Sequence, residues 1–113
     1  MANVQINWTP YASDPTDVDA VEIFRSVDLT SESDFQAALD NSTLTSASAL
    51  TSIDRVDITS TASYTDTTAV SGTTYYYCLA AKNAGGYNVG ADAAGSVVPT
   101  AGSVEGAVAC VAV

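Results

Sequence analysis

Residues 73–82, TTYYYCLAAK, read as the clearest strand in the chain. Tyr75, Tyr77, Leu79 and Ala81 fall on one side of an extended backbone. Tyr76, Cys78, Ala80 and Lys82 fall on the other. Turn residues close both ends, with Gly72 before and Asn83-Ala84-Gly85-Gly86 after.

Other segments repeat the pattern. Val4-Gln5-Ile6-Asn7-Trp8 alternates strictly and places Val4, Ile6 and Trp8 on one face, with Pro10 as its stop. Residues 18–26 read as a second strand. Val21 and Ile23 point inward there, Glu22 outward, and Phe24 onto the outer face of the sheet. Residues 62–67 carry a short strand with Tyr64, and residues 96–98 another before Pro99. Residues 52–59 alternate as well, Ile53, Val56 and Ile58 against Asp54 and Asp57, with a slip at Arg55 that reads as a bulge. Ser33-Asp34-Phe35-Gln36 has capping-box spacing and predicts a short helix over about residues 34–39, with Phe35, Ala38 and Leu39 at helical spacing. Residues 41–51 read as a long loop or weak strand containing Leu44 and Leu50. Many short strands between turn signals indicate an all-β antiparallel sandwich.

The length, 113 residues, suits one domain. Apolar residues make up 47%, enough for a core of small and β-branched side chains around Trp8, Phe24, Phe35 and the tyrosines. Net charge is −10, which opposes binding to phosphate backbones and anionic lipid surfaces. No apolar run approaches a membrane span, and MANVQINWTP has neither the basic start nor the apolar stretch of a secretory signal. There is no histidine, which excludes Ser-His and Cys-His nucleophile pairs and imidazole metal ligands. Amine chemistry would rest on Lys82 alone. No enzyme activity, cofactor or metal is expected.

Several segments together resemble a fibronectin type III domain of the bacterial and phage kind. Tyr64-Thr65-Asp66-Thr67-Thr68, then Ser71-Gly72-Thr73-Thr74-Tyr75-Tyr76-Tyr77, then Ala80-Ala81-Lys82-Asn83-Ala84-Gly85-Gly86 are similar to that family's E strand, F strand and F–G turn. Val4-x-Ile6-x-Trp8-Thr9-Pro10 resembles its B strand and Val21-Glu22-Ile23-Phe24-Arg25-Ser26 its C strand. The likeness covers roughly residues 3–26 and 62–98. It implies a non-catalytic scaffold with Trp8, Ile6, Ile23, Tyr75, Tyr77 and Leu79 in the core. It also implies a tyrosine corner at Tyr75 and an outward position for Cys78.

The chain departs from that pattern in three ways. The B-like strand begins almost at Met1, so an A strand is not expected. The connection over residues 27–60 is several times the usual length, an elaboration of the 1–99 sandwich. Beyond a hinge-like stretch at 99–103, a strand-forming tail ends the 100–113 segment, and its last seven residues are wholly apolar. An open edge and a Val-rich strand call for each other. The tail is expected to complete either its own sandwich or a neighbour's. A tight reversal after the G-like strand would deliver it in the wrong sense for the vacant A position, so a longer crossover is expected in cis. Val104, Ala107, Val108, Val111 and Val113 are the candidate partner-binding residues.

Other candidate sites are weaker. Asp14, Asp17 and Asp19 share a loop without an EF-hand pattern and read as a solvated acidic surface. Tyr76 and Tyr87 could form a sugar-stacking platform but read better as strand residues. Cys78 and Cys110 are expected as reduced thiols. Asn7-Trp8-Thr9 and Asn41-Ser42-Thr43 match glycosylation acceptors without a secretory context. The best overall expectation, drawn from the resemblance and the tail, is a non-enzymatic structural protein. It would be a capsid decoration (cement) or tail accessory protein of a tailed-phage virion, made in the host cytoplasm. Its partners would be copies of itself or major capsid or tail proteins, in a homo- or hetero-oligomeric assembly, with no nucleic acid and no membrane. The alternative is a carbohydrate- or cell-surface-binding module of a larger secreted bacterial protein.

Overall fold

The computed structural model describes residues 3–9, 18–61, 63–89, 95–97, 104–106 and 110–111. In chain order the elements are β1 (Asn3–Thr9), β2 (Ala20–Ser26), α1 (Glu32–Asp40), β3 (Thr51–Asp54), β4 (Ser63–Asp66), β5 (Tyr75–Asn83), β6 (Gly86–Val89), β7 (Gly95–Val97), β8 (Val104–Gly106) and β9 (Cys110–Val111). They form two sheets with one short helix, a mostly β, sandwich-like architecture.

The first sheet is centred on β1. On one edge β4 pairs with it antiparallel, Val4 opposite Asp66 through Asn7 opposite Ser63. On the other edge β8 and then β9 pair with it in parallel. The second sheet runs β3-β2-β5-β6, all antiparallel, and β7 pairs with the start of β5. Its spine is the seven-residue β2–β5 ladder from Ala20–Lys82 to Ser26–Tyr76.

Alternation sets the core between the sheets. Val4, Ile6 and Trp8 are buried on β1, while Gln5 and Asn7 are exposed. They belong to one buried cluster with Val21, Ile23, Tyr75, Tyr77 and Leu79 of the second sheet. Each large side chain buried this way is worth about 1.5–3 kcal/mol.

Glu22 and Phe24 lie on the opposite, outer face of the second sheet as expected, but that face is covered. Both are buried, at 4% and 0% exposure, as are Cys78 and Ala80. The cover comes from the 27–50 elaboration. Phe35 and Leu39 of α1 join the same buried cluster, Ala38 is buried on the same helix, and the ring of Tyr87 meets Phe24 edge to face at 5.9 Å. Cys78, expected to point outward, therefore lies beneath a third layer. The uncharged run from Tyr75 to Ala81 fits a strand covered on both faces.

The helix starts earlier than its sequence signal. Ser31, not Ser33, is the N-cap, and its hydroxyl accepts from the Asp34 N–H at 3.2 Å. Asp34 Oδ2 in turn accepts from the Thr30 N–H. The helix closes with Ser42 in the left-handed region, φ 58°. The Ser42 N–H donates to Leu39 C=O and the Thr43 N–H to Ala38 C=O, a Schellman pair.

The 52–59 strand is also corrected. It starts at Thr51 and ends at Asp54, and residues 55–60 form consecutive turns. The slip at Arg55 is the strand's end rather than a bulge. The Arg55 N–H still donates in register to Asp19 C=O at 3.0 Å, and the turn then begins with the Asp57 N–H donating to Asp54 C=O. Ile58 still reaches the core, while Val56 is 80% exposed. The 41–51 stretch contains a single 3-10 turn at Ser46–Ser48 before β3 begins.

Candidate functional site: the β1 edge and its supports

The tail takes the edge of β1 opposite β4, within the same chain. Asn3, Val4 and Gln5 pair with Val104, Glu105 and Gly106, and Trp8 and Thr9 pair with Cys110 and Val111. The register of the two pairings differs by one residue, Gln5 standing opposite Gly106 and Trp8 opposite Cys110. The expectation of a long crossover is corrected here. Six residues separate Val97 from Val104, and the parallel ladder accepts the sense in which they deliver the strand. Val104 and Val111 thus have their backbones on the β1 edge. Ala107, Val108 and Val113 lie outside the described residues.

The seam carries little charge. Asn3–Thr9 has no charged side chain, and the tail from 104 to 113 has one, Glu105, in a chain of net charge −10. The β1 edge is seven residues long, against four for β3 and four for β4. A seven-residue edge without charged side chains is a template for another strand.

Two polar clasps fix the layers, one between the sheets and one on the outer face of the second sheet. Asp66 on β4 is 1% exposed, and four donors converge on it. Arg25 Nη1 and the Tyr77 hydroxyl reach Oδ2 at 2.9 and 2.8 Å, and the Thr68 N–H and hydroxyl reach Oδ1 at 2.9 and 2.7 Å. Arg25 and Tyr77 belong to the second sheet, so this carboxylate ties the sheets together. Burial alone would raise its pKa. The bonds from Thr68, Tyr77 and Arg25 outweigh burial and hold it below the usual carboxylate range. Burial, and then the Asp66 carboxylate, push the Tyr77 hydroxyl well above the usual tyrosine value. Arg25 also lies 4.6 Å over the Tyr75 ring. The Tyr75 hydroxyl accepts from the Val70 N–H at 3.0 Å, five residues upstream.

The second clasp was not visible in the sequence. Glu22 Oε1 accepts from the Tyr87 hydroxyl at 2.6 Å and from Ser46 Oγ at 3.1 Å. Lys82 Nζ donates to Ser46 Oγ at 2.8 Å and stands 3.7 Å from Glu22 Oε2. The four groups come from β2, the 3-10 turn, β5 and β6, so only the fold assembles them. Burial first, and then Glu22, raise the Tyr87 hydroxyl's pKa. The lysine offsets the buried carboxylate, and each side chain is engaged by a neighbour. The arrangement pins residues 46–48 to the outer face of the sheet.

The weaker candidates resolve in the same way. Tyr87 sits half-buried on β6 with its ring against Phe24 and its hydroxyl on Glu22, so both ends are engaged within the chain. Tyr76 is half-buried. Asp14 and Asp17 lie outside the described residues, as does the Cys110 side chain. No cluster of three or more metal-ligating side chains occurs among the described residues. No helix among them is long and apolar enough to cross a membrane. No protein-family model, curated protein or solved structure matches the chain.

Proposed function

We propose that this chain is a non-enzymatic assembly protein built on a fibronectin type III-like sandwich. We place it on a tailed-phage virion, as a capsid decoration or tail accessory protein made in the host cytoplasm. Its partners are neighbouring protein subunits, either copies of itself or capsid or tail proteins. The observation that carries this reading is the charge-poor tail lying along the seven-residue β1 of an otherwise acidic chain. A protein of charge −10 resists self-association over most of its surface, and a charge-poor strand seam is where contact costs least.

The strand pairings support the family resemblance. β1 pairs with β4 as B does with E, and β2 pairs with β5 as C does with F. The hydroxyl of Tyr75 bonds backbone upstream, as at a tyrosine corner. The tail occupies the A-strand position with reversed polarity. The test is immunodetection of the chain in density-banded particles from the organism that encodes it. Stoichiometric enrichment in the particle band is expected. Recovery only in the particle-free supernatant would overturn the virion assignment.

A further inference from the structure

We propose that α1 is a guard on the second sheet. The Gln36 carboxamide holds the β6 edge closed, and its removal lets β6 pair with β6 of a second copy of this chain. The guard is independent of the virion assignment.

The edge itself is suited to pairing. β6 is Gly86-Tyr87-Asn88-Val89, without a charged side chain, and it ends the β3-β2-β5-β6 order. Its outward side meets no strand among the described residues. In the ladder with β5, Tyr87 stands opposite Lys82 and Val89 opposite Ala80. Alternate residues of such a ladder turn both backbone groups away from the partner strand, and on β6 those residues are Tyr87 and Val89. The far end of the sheet is less open. There β3 carries Asp54, whose carbonyl accepts from the Asp57 N–H.

Gln36 fills the β6 edge as a strand would. In a parallel ladder a residue donates to the carbonyl one before its opposite residue and accepts from the N–H one after it. The carboxamide does the same about Asn88, with Nε2 on the Tyr87 carbonyl and Oε1 on the Val89 N–H, both at 2.9 Å. Nε2 also donates to Asp40 Oδ1 at 3.0 Å, and a carboxylate that only accepts fixes which end of the amide faces which group. Phe35 and Leu39, buried on the same helix, hold α1 to the face of the sheet. Truncating Gln36 therefore gives up the edge and keeps those apolar contacts. A second copy supplies a strand that fits the vacated edge. In a two-fold antiparallel pair centred on Asn88, Tyr87 of each copy stands opposite Val89 of the other, so the outward N–H and C=O of both residues are met.

The test compares Gln36→Ala with Gln36→Glu in the full chain. Both remove the bond to the Tyr87 carbonyl. Glutamate, however, leaves a carboxylate on the edge of each copy, where like charges oppose pairing. Light scattering over a concentration series gives the mass, and hydrogen exchange at the Tyr87 and Val89 amides locates the contact. Gln36→Ala is expected to dimerise at least about tenfold more tightly than Gln36→Glu. Its Tyr87 and Val89 amides should be unprotected in dilute solution and protected in the dimer. In the natural chain the Val89 amide should be protected at every concentration. A Gln36→Ala chain that stays monomeric overturns the guard. So does association that leaves exchange at Tyr87 and Val89 unchanged, and so does a Gln36→Glu chain that dimerises as tightly.

Discussion

The Gln36 carboxamide sits on the β6 edge like a fragment of another strand. Its Oε1 accepts from the Val89 N–H at 2.9 Å, while its Nε2 donates to Tyr87 C=O at 2.9 Å. Those two backbone groups lie on the side of β6 away from β5. One side chain of α1 therefore closes a sheet edge that would otherwise invite pairing.

Gln36→Ala should remove both bonds and cost about 1–3 kcal/mol. Gln36→Glu should do comparable harm, because it keeps the acceptor for Val89 and loses the donor for Tyr87. Urea denaturation checks the stability. Hydrogen exchange gives the local readout, with the Val89 amide losing protection ahead of the amides of β2 and β5. Unchanged protection at Val89 would contradict the edge-capping role.

Asp66→Asn should destabilise by about 3 kcal/mol, because it leaves Arg25 and Tyr77 facing a neutral amide in a buried position. The pH dependence follows from the direction of its shift. The folded carboxyl titrates below its unfolded value of about 3.9, so its contribution is complete above that pH. It is lost as pH falls from there through the lower folded value. Acid unfolding of the natural chain should be steeper below about pH 4 than that of the Asp66→Asn chain. Equal slopes would show that the clasp carries no pH-linked stability.

How much of this the sequence discloses depends on the range of the interaction. Val4, Ile6 and Trp8 are legible because burial on one face imposes period two on the residues themselves. The same holds for Tyr77 and Leu79, and for the helix stripe of Phe35, Ala38 and Leu39. Glu22 and Phe24 mislead because alternation reports one covered face and is silent about a third layer delivered from residues 27–50. The signal for that layer was the lack of any charge from Tyr75 to Ala81. The Glu22–Ser46–Lys82–Tyr87 group has no local signature, since its members are up to 65 residues apart. The tail's attraction to an open edge was readable, whereas its parallel sense depended on where β7 leaves the chain.

Ser42 is a point where sequence and backbone disagree. It holds φ 58° at the end of α1, a conformation that a side chain with a Cβ adopts at a cost of roughly 1 kcal/mol. Ser42→Gly should stabilise the fold by about 0.5–1 kcal/mol, seen as a higher urea midpoint at unchanged slope. A lower midpoint would mean that the serine side chain gives the closing turn more than its backbone loses.

The third layer has a built-in reporter. Cys78 is fully buried, in one cluster with Phe35 and Leu39 of α1. In a Cys110→Ser chain, a thiol reagent should modify Cys78 only through opening of that layer, far more slowly than it modifies an exposed cysteine. Phe35→Ala removes a fully buried ring from the covering helix, at a cost of about 3–5 kcal/mol. If most of that cost falls on docking of the helix, labelling should accelerate by about 100-fold or more while the β2–β5 amides keep their protection. Labelling of the natural face at the rate of a free thiol would show that the helix does not cover it. Equal acceleration of exchange in β2 and β5 would show that the cover and the sandwich open as one unit.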